Sequence, residues 1–364
     1  MGKRPKSYVT GCKVKAQKGI GLHILYMVSA TGNPLYGGRY DLHGRYMTFG
    51  QQSFIFDLVA GLSKQGALVT LAIAGIHRFP LTEPLQRFCR IIDPLENALP
   101  TNVDLVLFDE GADGLLTYGP PDVPAFRIVH NAATEFSQQL ERRCQRFVCL
   151  TERSRQLLSA KIADQKLVLL HQGVDLDRFT PLFPRQPVER ARIRVLIYSR
   201  LDANREPTIW RLLEELESCN MRITLLGDGD KFWKLCDRFG TSITPINFIP
   251  CTSIQRFLPN FDVVISSARG VMEALAMGLP ALCGGFEYAG PVLRDNIREH
   301  LTVNITGFGM GVDIADVCSD VNSAALLDWS ACRALAEDFC SVQGFIDGLI
   351  QTLSVVNAEP SLGA

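Results

Sequence analysis

Arginine residues next to predicted strands have the clearest capacity for chemistry. Arg200 and Arg205 follow a strand predicted at 194–198. Arg269 and Gly270 lie farther along, where another predicted strand gives way to a helix. A guanidinium neutralises a phosphate through forked hydrogen bonds, and the N–H groups at a helix start favour the same charge. Such residue types can bind a phosphate-bearing ligand without a metal ion.

One histidine also stands at the end of a predicted strand. His130 follows the apolar run at 126–129, where a side chain can transfer a proton or contact a ligand. A lone histidine in such a place is more often a structural residue. No spacing typical of a Ser/His/Asp or Cys/His nucleophile can be recognised in the chain.

The elements that must position these residues alternate between strand and helix. Short apolar runs indicate buried strands, and apolar residues at helical spacing lie between them. This alternation predicts an α/β fold with parallel sheets. The strands are predicted at 22–29, 67–74, 103–108, 126–129, 146–150, 167–170, 194–198, 221–226 and 261–267, and the helices at 54–62, 152–161, 209–216 and within 324–356.

Length and composition set the class of protein. The chain has 364 residues, 47% of them hydrophobic, which favours two domains with separate cores. The formal net charge of -1 argues against a general nucleic-acid binder, which needs a basic excess. No apolar run approaches the roughly 20 residues of a membrane-spanning helix. We expect a soluble protein, cytoplasmic or peripheral on the inner face of a membrane.

The cysteines and the first residues bear on the same question. The eleven cysteines include no C-x-x-C pair, which favours reduced thiols over a disulfide framework or a zinc site. Residues 1–20 carry six basic side chains and no acidic one, and we expect this leader to be disordered. It is interpreted as a solvated tail or as a segment attracted to an anionic membrane.

The most informative stretch lies near the middle of the chain. The apolar run Leu167–Leu169 continues to residue 170 and predicts a strand buried on both faces. Gly173 then allows a tight turn, and Phe179 can anchor the outgoing chain to a core. Prolines follow, and the polar segment 185–194 is predicted to be a linker.

Three motifs give this sequence a resemblance to a known family. Gln-Gly-Val-Asp-Leu-Asp-Arg-Phe-Thr-Pro at 172–181 resembles the Asn-Gly-Val-Asp-x-x-x-Phe-x-Pro signature of family 4 glycosyltransferases. Residues 273–280 resemble the Glu-Ala-x-Ala-x-Gly-x-Pro helix of the same family. The segment 48–62 is similar to the Thr-Gly-Gly-Gln-x-x-Tyr pattern of its sucrose-phosphate-synthase-like members, with Phe49 and Phe54 in place of Gly and Tyr.

The resemblance implies the GT-B fold, in which two Rossmann-like domains face a cleft and the last helix returns to the first domain. The implied N-terminal, acceptor-binding domain covers 21–182 together with the returning helix at 343–358. The implied C-terminal domain, at 190–342, binds the nucleotide sugar.

The resemblance also assigns roles to individual residues. His130 would contact the donor sugar, while Arg200 and Arg205 would hold the donor diphosphate. Glu273 would accept hydrogen bonds from the ribose hydroxyls. The remaining implied substrate-binding residues are Gly50, Gln51, Gly227, Ile249, Arg269 and Gly270.

The sequence departs from the family at one position that matters for mechanism. Ile265 stands where the family has the first glutamate of a pair, and the short loop between Ser267 and Glu273 is more similar to that of nucleotide-sugar 2-epimerases and inverting N-acetylglucosaminyl transferases. The expected function is a retaining, metal-independent glycosyltransferase without a cofactor. A 2-epimerase and a non-catalytic nucleotide-sugar-binding protein stay open.

The partners that follow are a nucleotide-sugar donor and a sugar, lipid-linked or small-molecule acceptor. Nucleic acid is not expected. Two D-x-D strings, 175–177 and 228–230, occur where the family often has aspartates that form turns, so neither is expected to bind a metal.

Overall fold

The structure is a computed structural model that describes residues 21–29, 50–76, 79, 81–130, 137–181 and 192–358. The leader, the loop at 30–49 and most of the predicted linker lie outside the described residues. The described residues form two compact units. Unit 1 takes those up to Leu150, Ser154–Leu170, and those from Ile346 onward. Unit 2 takes Thr151–Arg153 and His171–Phe345.

Unit 1 is built on a seven-stranded sheet in the order β3-β2-β1-β4-β5-β6-β7, and its neighbouring strands pair in parallel. The strand order reverses between β1 and β4, and both are buried because they lie inside the sheet. The strands are β1 (His23–Ser29), β2 (Leu68–Ala74), β3 (Arg90–Ile92), β4 (Leu105–Phe108), β5 (Ala125–Val129), β6 (Arg146–Cys149) and β7 (Leu167–Leu169), and the helices are α1 (Gly50–Lys64), α2 (Thr82–Leu85), α3 (Gln138–Arg143) and α4 (Glu152–Ser159).

Unit 2 is built on a six-stranded sheet in the order β10-β9-β8-β11-β12-β13, and its order reverses between β8 and β11. All its pairings are parallel except the last, between β12 and β13. The strands are β8 (Ile193–Tyr198), β9 (Met221–Leu226), β10 (Ile243–Ile246), β11 (Val263–Ser266), β12 (Ala281–Gly284) and β13 (Tyr288–Pro291), and the helices are α5 (Glu206–Glu217), α6 (Phe232–Phe239), α7 (Ile254–Phe257), α8 (Arg269–Ala276), α9 (Ile297–Thr302), α10 (Val317–Ala324) and α11 (Trp329–Phe339).

The last helix, α12 (Val342–Ala358), begins in unit 2 and continues in unit 1. Phe345, Leu349 and Leu353 are spaced along one face of it, and all three are buried. Within unit 1, Gly348 of α12 lies against Leu170, and Asp347 accepts a hydrogen bond from Gln65. Among the described residues no helix is long and apolar enough to cross a membrane.

The helix predicted at 54–62 and the longer strands are confirmed, but other predictions are corrected. The run at 167–170 is not buried on both faces, because β7 is an edge strand and only its first residue is fully buried. The three-residue β3 and the antiparallel β13 were not predicted. Both are short strands at sheet edges, where the apolar pattern that signals a buried strand is weak.

The expectation of reduced thiols is also corrected. Cys219 and Cys318 form a disulfide, although they are 99 residues apart in sequence. Cys219 follows α5, Cys318 lies on α10, and both sulfurs approach the carbonyl of Glu215. Spacing along the chain cannot reveal this pair, because the packing of two helices brings it together. The other described cysteines form no disulfide.

The informative stretch belongs to unit 2 from His171 onward, so the division comes earlier than the predicted boundary at 182. The amide of Val174 bonds to the carbonyl of Cys340 at 2.8 Å, and the amide of Val342 bonds back to Val174 at 3.0 Å. Phe179, fully buried, packs in the core of unit 2. These contacts hold the turn against the start of α12.

The close backbone approach at Gly173 generates a stability prediction. A β-carbon there would lie 2.2 Å from the carbonyl carbon of Ser341 and 2.4 Å from the nitrogen of Val342. Gly173→Ala should therefore lower the free energy of unfolding by about 1–3 kcal/mol, as overpacking does. Urea denaturation measures the change.

Gly344→Ala is the matched control for that measurement. Gly344 lies in the first turn of α12, against which the Gly173 turn packs, and no other atom lies within 4 Å of a β-carbon added there. Alanine should stabilise this helical position by about 0.5–1 kcal/mol. Equal effects of the two substitutions would contradict the steric explanation.

Candidate functional site

The two arginines singled out from the sequence meet at one carboxylate in unit 2. Asp202, in the loop after β8, lies 2.8 Å from Nη1 of Arg205 and 3.7 Å from Nη1 of Arg200. Its Oδ1 also accepts the amides of Asn204 and Arg205, each at 3.2 Å, at the start of α5. Asp202 thus fixes the loop and leaves the trio of side chains with a net positive charge.

The neighbours of Arg205 set its direction. Its guanidinium lies over the ring of Phe286, 4.6 Å from the centroid. Glu206, the next residue, forms an ion pair with Lys234 of α6. The negative charge of Glu206 is thereby balanced on α6, so it does not cancel the cationic pair at Arg200 and Arg205.

The predicted ligand-binding glycine after β9 packs against that same loop. A β-carbon on Gly227 would stand 2.0 Å from the carbonyl oxygen of Ser199. The amide of Leu201 bonds to the carbonyl of Asp228 at 2.7 Å. Gly227 therefore lets the loops after β8 and β9 approach closely, and its predicted contact with a substrate stays a prediction.

Helix α8 begins at a strained backbone. Ala268 has φ 48° and ψ -119°, a conformation that non-glycine residues rarely adopt. Asn304 and Ile305 are the other non-glycine residues with positive φ in the described part of the chain, at 58° and 53°. The amide of Ala268 bonds to the carbonyl of Ile305 at 2.8 Å, so the strained positions are adjacent. Such strain clusters where a structure positions a functional segment.

The same strained segment holds the mid-chain signature. Gln172 donates its side-chain amide to Asn304. Asp175 accepts the amides of Asp177 and Arg178 at 3.0 and 3.3 Å. This confirms that Asp175 of the first D-x-D string forms a turn.

Arg269 and Glu273 are buried together on α8. Their side chains are 5% and 2% exposed, and Nη2 of Arg269 lies 3.6 Å from Oε1 of Glu273. Arg269 Nη1 donates to the carbonyl of Gly173 at 2.9 Å. Gly270 packs against Ser266, whose hydroxyl donates to the carbonyl of Tyr198. In this structure the paired charges neutralise each other, and the predicted ribose contact of Glu273 stays a prediction.

Two further features lie near this helix. Burial and then the negative charge of Glu273 hold the pKa of Tyr198 well above its ordinary value, so the phenol remains a hydrogen-bond donor. Ile249 is half-buried beyond β10 and packs against the core of unit 2. Its predicted backbone contact with a nucleobase stays a prediction.

Unit 1 contains a second polar cluster, centred on Asp109. This fully buried carboxylate follows β4 and accepts three hydrogen bonds. The donors are Nε2 of His130 at 2.7 Å, the hydroxyl of Tyr26 at 3.1 Å and the amide of Glu110 at 2.8 Å. Glu110 in turn accepts the amide of His130 at 2.8 Å. His130 is thus held at both its backbone and its ring.

Helix α1 also packs near this histidine. The ring of Phe54 meets that of His130 edge to face at 5.5 Å, and Nε2 of Gln51 donates to the carbonyl of Glu110 at 3.4 Å. Gly50 is the exposed first residue of α1. The structure therefore places Gln51 and His130, two of the predicted site residues of unit 1, beside the adjacent acidic residues Asp109 and Glu110.

The charge state of His130 follows from these neighbours. Burial lowers its pKa, but the Asp109 charge, the hydrogen bond to Asp109 and the Glu110 charge together outweigh burial. The net result is a raised pKa. Sequence reasoning missed Asp109 and Glu110, although two acidic residues directly after a predicted strand were a signal.

Each cluster stands where its sheet reverses strand order. In unit 2, the loop that holds Arg200 and Arg205 follows β8, and α8 follows the neighbouring strand β11. In unit 1, Asp109 follows β4 and His130 follows the neighbouring strand β5, next to the reversal between β1 and β4. Open α/β sheets bind ligands at the carboxyl ends of their strands at such points. The described residues include no group of three or more acidic, histidine or cysteine side chains that could hold a metal ion.

Comparison with known proteins identifies the fold. No protein-family model matches the sequence, and no curated protein matches it. HepE of Anabaena, in complex with UDP and glucose, matches with a TM-score of 0.61 and 15% identity, over 92% of this chain and 100% of HepE. A glycosyltransferase of Rickettsia africae matches with a TM-score of 0.61 and 14% identity, over 93% and 100%. AviGT4, a glycosyltransferase involved in avilamycin A biosynthesis, matches with a TM-score of 0.61 and 14% identity, over 93% of this chain and 98% of AviGT4.

At such identities the likeness establishes the fold. The chain has the GT-B fold, with two α/β units built on predominantly parallel sheets. The fold implied by the sequence resemblance is confirmed. Membership of family 4, which rests on the sequence motifs, stays a prediction.

The strain at the start of α8 can be measured. Ala268→Gly removes the β-carbon from a conformation that glycine adopts freely, so the free energy of unfolding should rise by about 1 kcal/mol. Urea denaturation gives the value.

Ala274→Gly, inside the same helix, provides the opposite expectation. Ala274 is fully buried, and glycine in a helix interior costs about 0.5–1 kcal/mol before lost packing is added. A loss of stability in Ala268→Gly as large as in Ala274→Gly would contradict the assigned strain.

Proposed function

We propose that the protein is a glycosyltransferase that takes its sugar from a nucleotide-diphosphate sugar bound by unit 2. The observation that carries this proposal is the convergence of Arg200, Arg205 and the start of α8 at the strand-order reversal of the unit 2 sheet. Guanidinium groups and a helix start in one place suit a diphosphate.

The chemistry needs this charge because glycosyl transfer releases a nucleoside diphosphate. As the bond to the anomeric carbon breaks, negative charge grows on the departing phosphate. Arg200 and Arg205, held by Asp202, can stabilise that charge without reorganising. This proposal uses no metal ion and no cofactor.

The solved structures support the class of donor. HepE is described in complex with UDP and with glucose, and its fold covers nearly all of this chain. We therefore choose uridine diphosphate as the first probe. Glu273 and Ile249 are proposed to meet the ribose and the base, as the sequence resemblance implies.

The acceptor is proposed to bind unit 1, where Gln51 and the acidic residues after β4 lie beside His130. Polar groups of this kind can bind sugar hydroxyls. A sugar, a lipid-linked sugar or a small molecule fits that chemistry equally. The contact of His130 with the donor sugar, which the sequence resemblance implies, stays a prediction. The family 4 assignment and a cytoplasmic or membrane-peripheral location belong to this proposal.

The proposal is tested by incubating the full chain with a panel of UDP-sugars, with and without candidate acceptors. Release of UDP together with a glycosylated or hydrolysed sugar supports a transferase. Conversion of the donor to its 2-epimer without lasting release of UDP would favour the epimerase. Binding without turnover of any donor would favour a non-catalytic binding protein.

Arg200→Ala tests the diphosphate assignment. Loss of a charged hydrogen bond costs about 1.5–3 kcal/mol, so the affinity for UDP should fall at least tenfold by calorimetry. The turnover rate should fall further still, because the developing charge is greater in the transition state.

The matched control is Arg222→Ala, an exposed arginine of β9 in the same unit. Its affinity for UDP and its turnover rate should equal those of the wild type. An unchanged affinity and an unchanged turnover rate in Arg200→Ala would remove this residue from the diphosphate site.

A further inference from the structure

We propose that Phe286 is a positioning residue of the diphosphate site in unit 2, and that it acts by holding the guanidinium of Arg205 in place for a phosphate group. This inference rests on the proposed function and adds an uncharged residue to that site. Phe286 belongs to none of the motifs singled out in the sequence and stands far along the chain from Arg205.

The loop after β12 reaches the same edge of the sheet as the two arginines. β12 pairs in parallel with β11, and β11 pairs in parallel with β8, so the carboxyl ends of these strands lie side by side. Phe286 stands in the loop between β12 and β13, and Arg205 stands between β8 and α5. The topology therefore brings this aromatic loop to the edge at which open α/β sheets bind ligands.

Arg205 contacts both a ring and a carboxylate. Its guanidinium carbon lies 4.6 Å from the centroid of the Phe286 ring, within the range of a cation–π contact. Its Nη1 lies 2.8 Å from Oδ2 of Asp202, and the side chain is 16% exposed. Within the described part of the chain, Nη2 and Nε of Arg205 donate to no other residue. A guanidinium carries its donors around its edge, so a ring over its face leaves them accessible to a phosphate.

Phe286 is itself fixed by its neighbours. Oγ1 of Thr208, in the first turn of α5, donates to the carbonyl of Phe286 at 2.7 Å. The amide of Phe286 donates to the carbonyl of Thr306 at 2.9 Å. The ring of Phe308 meets that of Phe286 edge to face, with the centroids 6.4 Å apart. These contacts make the ring a fixed surface against which Arg205 can rest.

The glycine before the ring allows this close packing. A β-carbon at Gly285 would lie 2.6 Å from the β-carbon of Ser267 and 2.7 Å from the carbonyl oxygen of Thr306. Thr306 directly follows the strained Ile305, so the loop after β12 connects that segment to the first turn of α5. An arginine supported in this way loses little freedom when it binds a phosphate, and such preorganisation raises affinity.

Phe286→Leu removes the ring and retains a large apolar side chain. A cation–π contact of a partly desolvated arginine corresponds to an affinity change of about three- to tenfold, so the affinity of the full chain for UDP should fall by that factor in calorimetry. Phe286→Tyr retains the face of the ring and should keep the wild-type affinity. Equal losses in the two variants would overturn the inference.

A double-mutant cycle shows whether Phe286 acts through Arg205. Arg205→Ala removes the guanidinium, so adding Phe286→Leu to it should leave the affinity for UDP where Arg205→Ala alone puts it. A purely structural role of the ring would instead lower the affinity by the same factor in both backgrounds. That result would overturn the inference. Urea denaturation confirms that each variant is folded under the conditions of the titration.

Phe339→Leu is the matched control. Phe339, the last residue of α11 in the same unit, is half-buried, and the guanidinium carbon of Arg298 lies 5.5 Å from the centroid of its ring. The substitution removes a comparable contact from an arginine that is not proposed to bind UDP. The affinity for UDP should equal that of the wild type. A loss as large as in Phe286→Leu would overturn the inference.

The outcomes separate this inference from the proposed function. If the wild-type chain binds UDP, Arg200→Ala weakens that binding and Phe286→Leu does not, the diphosphate site stands and the role of Phe286 fails. If the wild-type chain binds neither UDP nor any UDP-sugar of the panel, both fail.

Discussion

The hydrogen bond from Arg269 to the carbonyl of Gly173 joins the two segments on which unit 2 depends. A guanidinium that is 5% exposed must be balanced, and Glu273 one turn along α8 provides the opposite charge. The carbonyl is available because Gly173 allows the turn to lie against the start of α12. Arg333 of α11 reinforces the arrangement by donating to three carbonyls, one of α8 and two of the mid-chain segment.

This junction also explains where the strain lies. Ala268 and Ile305 adopt left-handed conformations that cost roughly 1–3 kcal/mol each, and they bond directly to each other. Gln172 holds the adjacent Asn304, so the mid-chain signature, the strained pair and the start of α8 form one connected structure. The packed core beneath these residues can maintain a conformation that none of them would adopt alone.

The two polar clusters have opposite charge. In unit 2, Arg200 and Arg205 outnumber Asp202 and leave a positive surface suited to a diphosphate. In unit 1, Asp109 and Glu110 both form hydrogen bonds with His130, and both carry negative charge. The two units therefore hold polar clusters that differ in their electrostatic environments. Two sheets, each with its own strand-order reversal, supply them separately.

The sequence by itself determined the longer strands and several of the helices, because apolar periodicity is a local property, and α1 and β9 were predicted closely. It also identified Arg200 and Arg205 and the anchor Phe179. The tertiary structure decided which side chains meet. The pairing of His130 with Asp109 crosses two strands, and the edge position of β7 depends on the order of the whole sheet. Residue types and their local periodicity can be read from the sequence, whereas hydrogen-bond partners that are distant in sequence depend on how the segments pack in the fold.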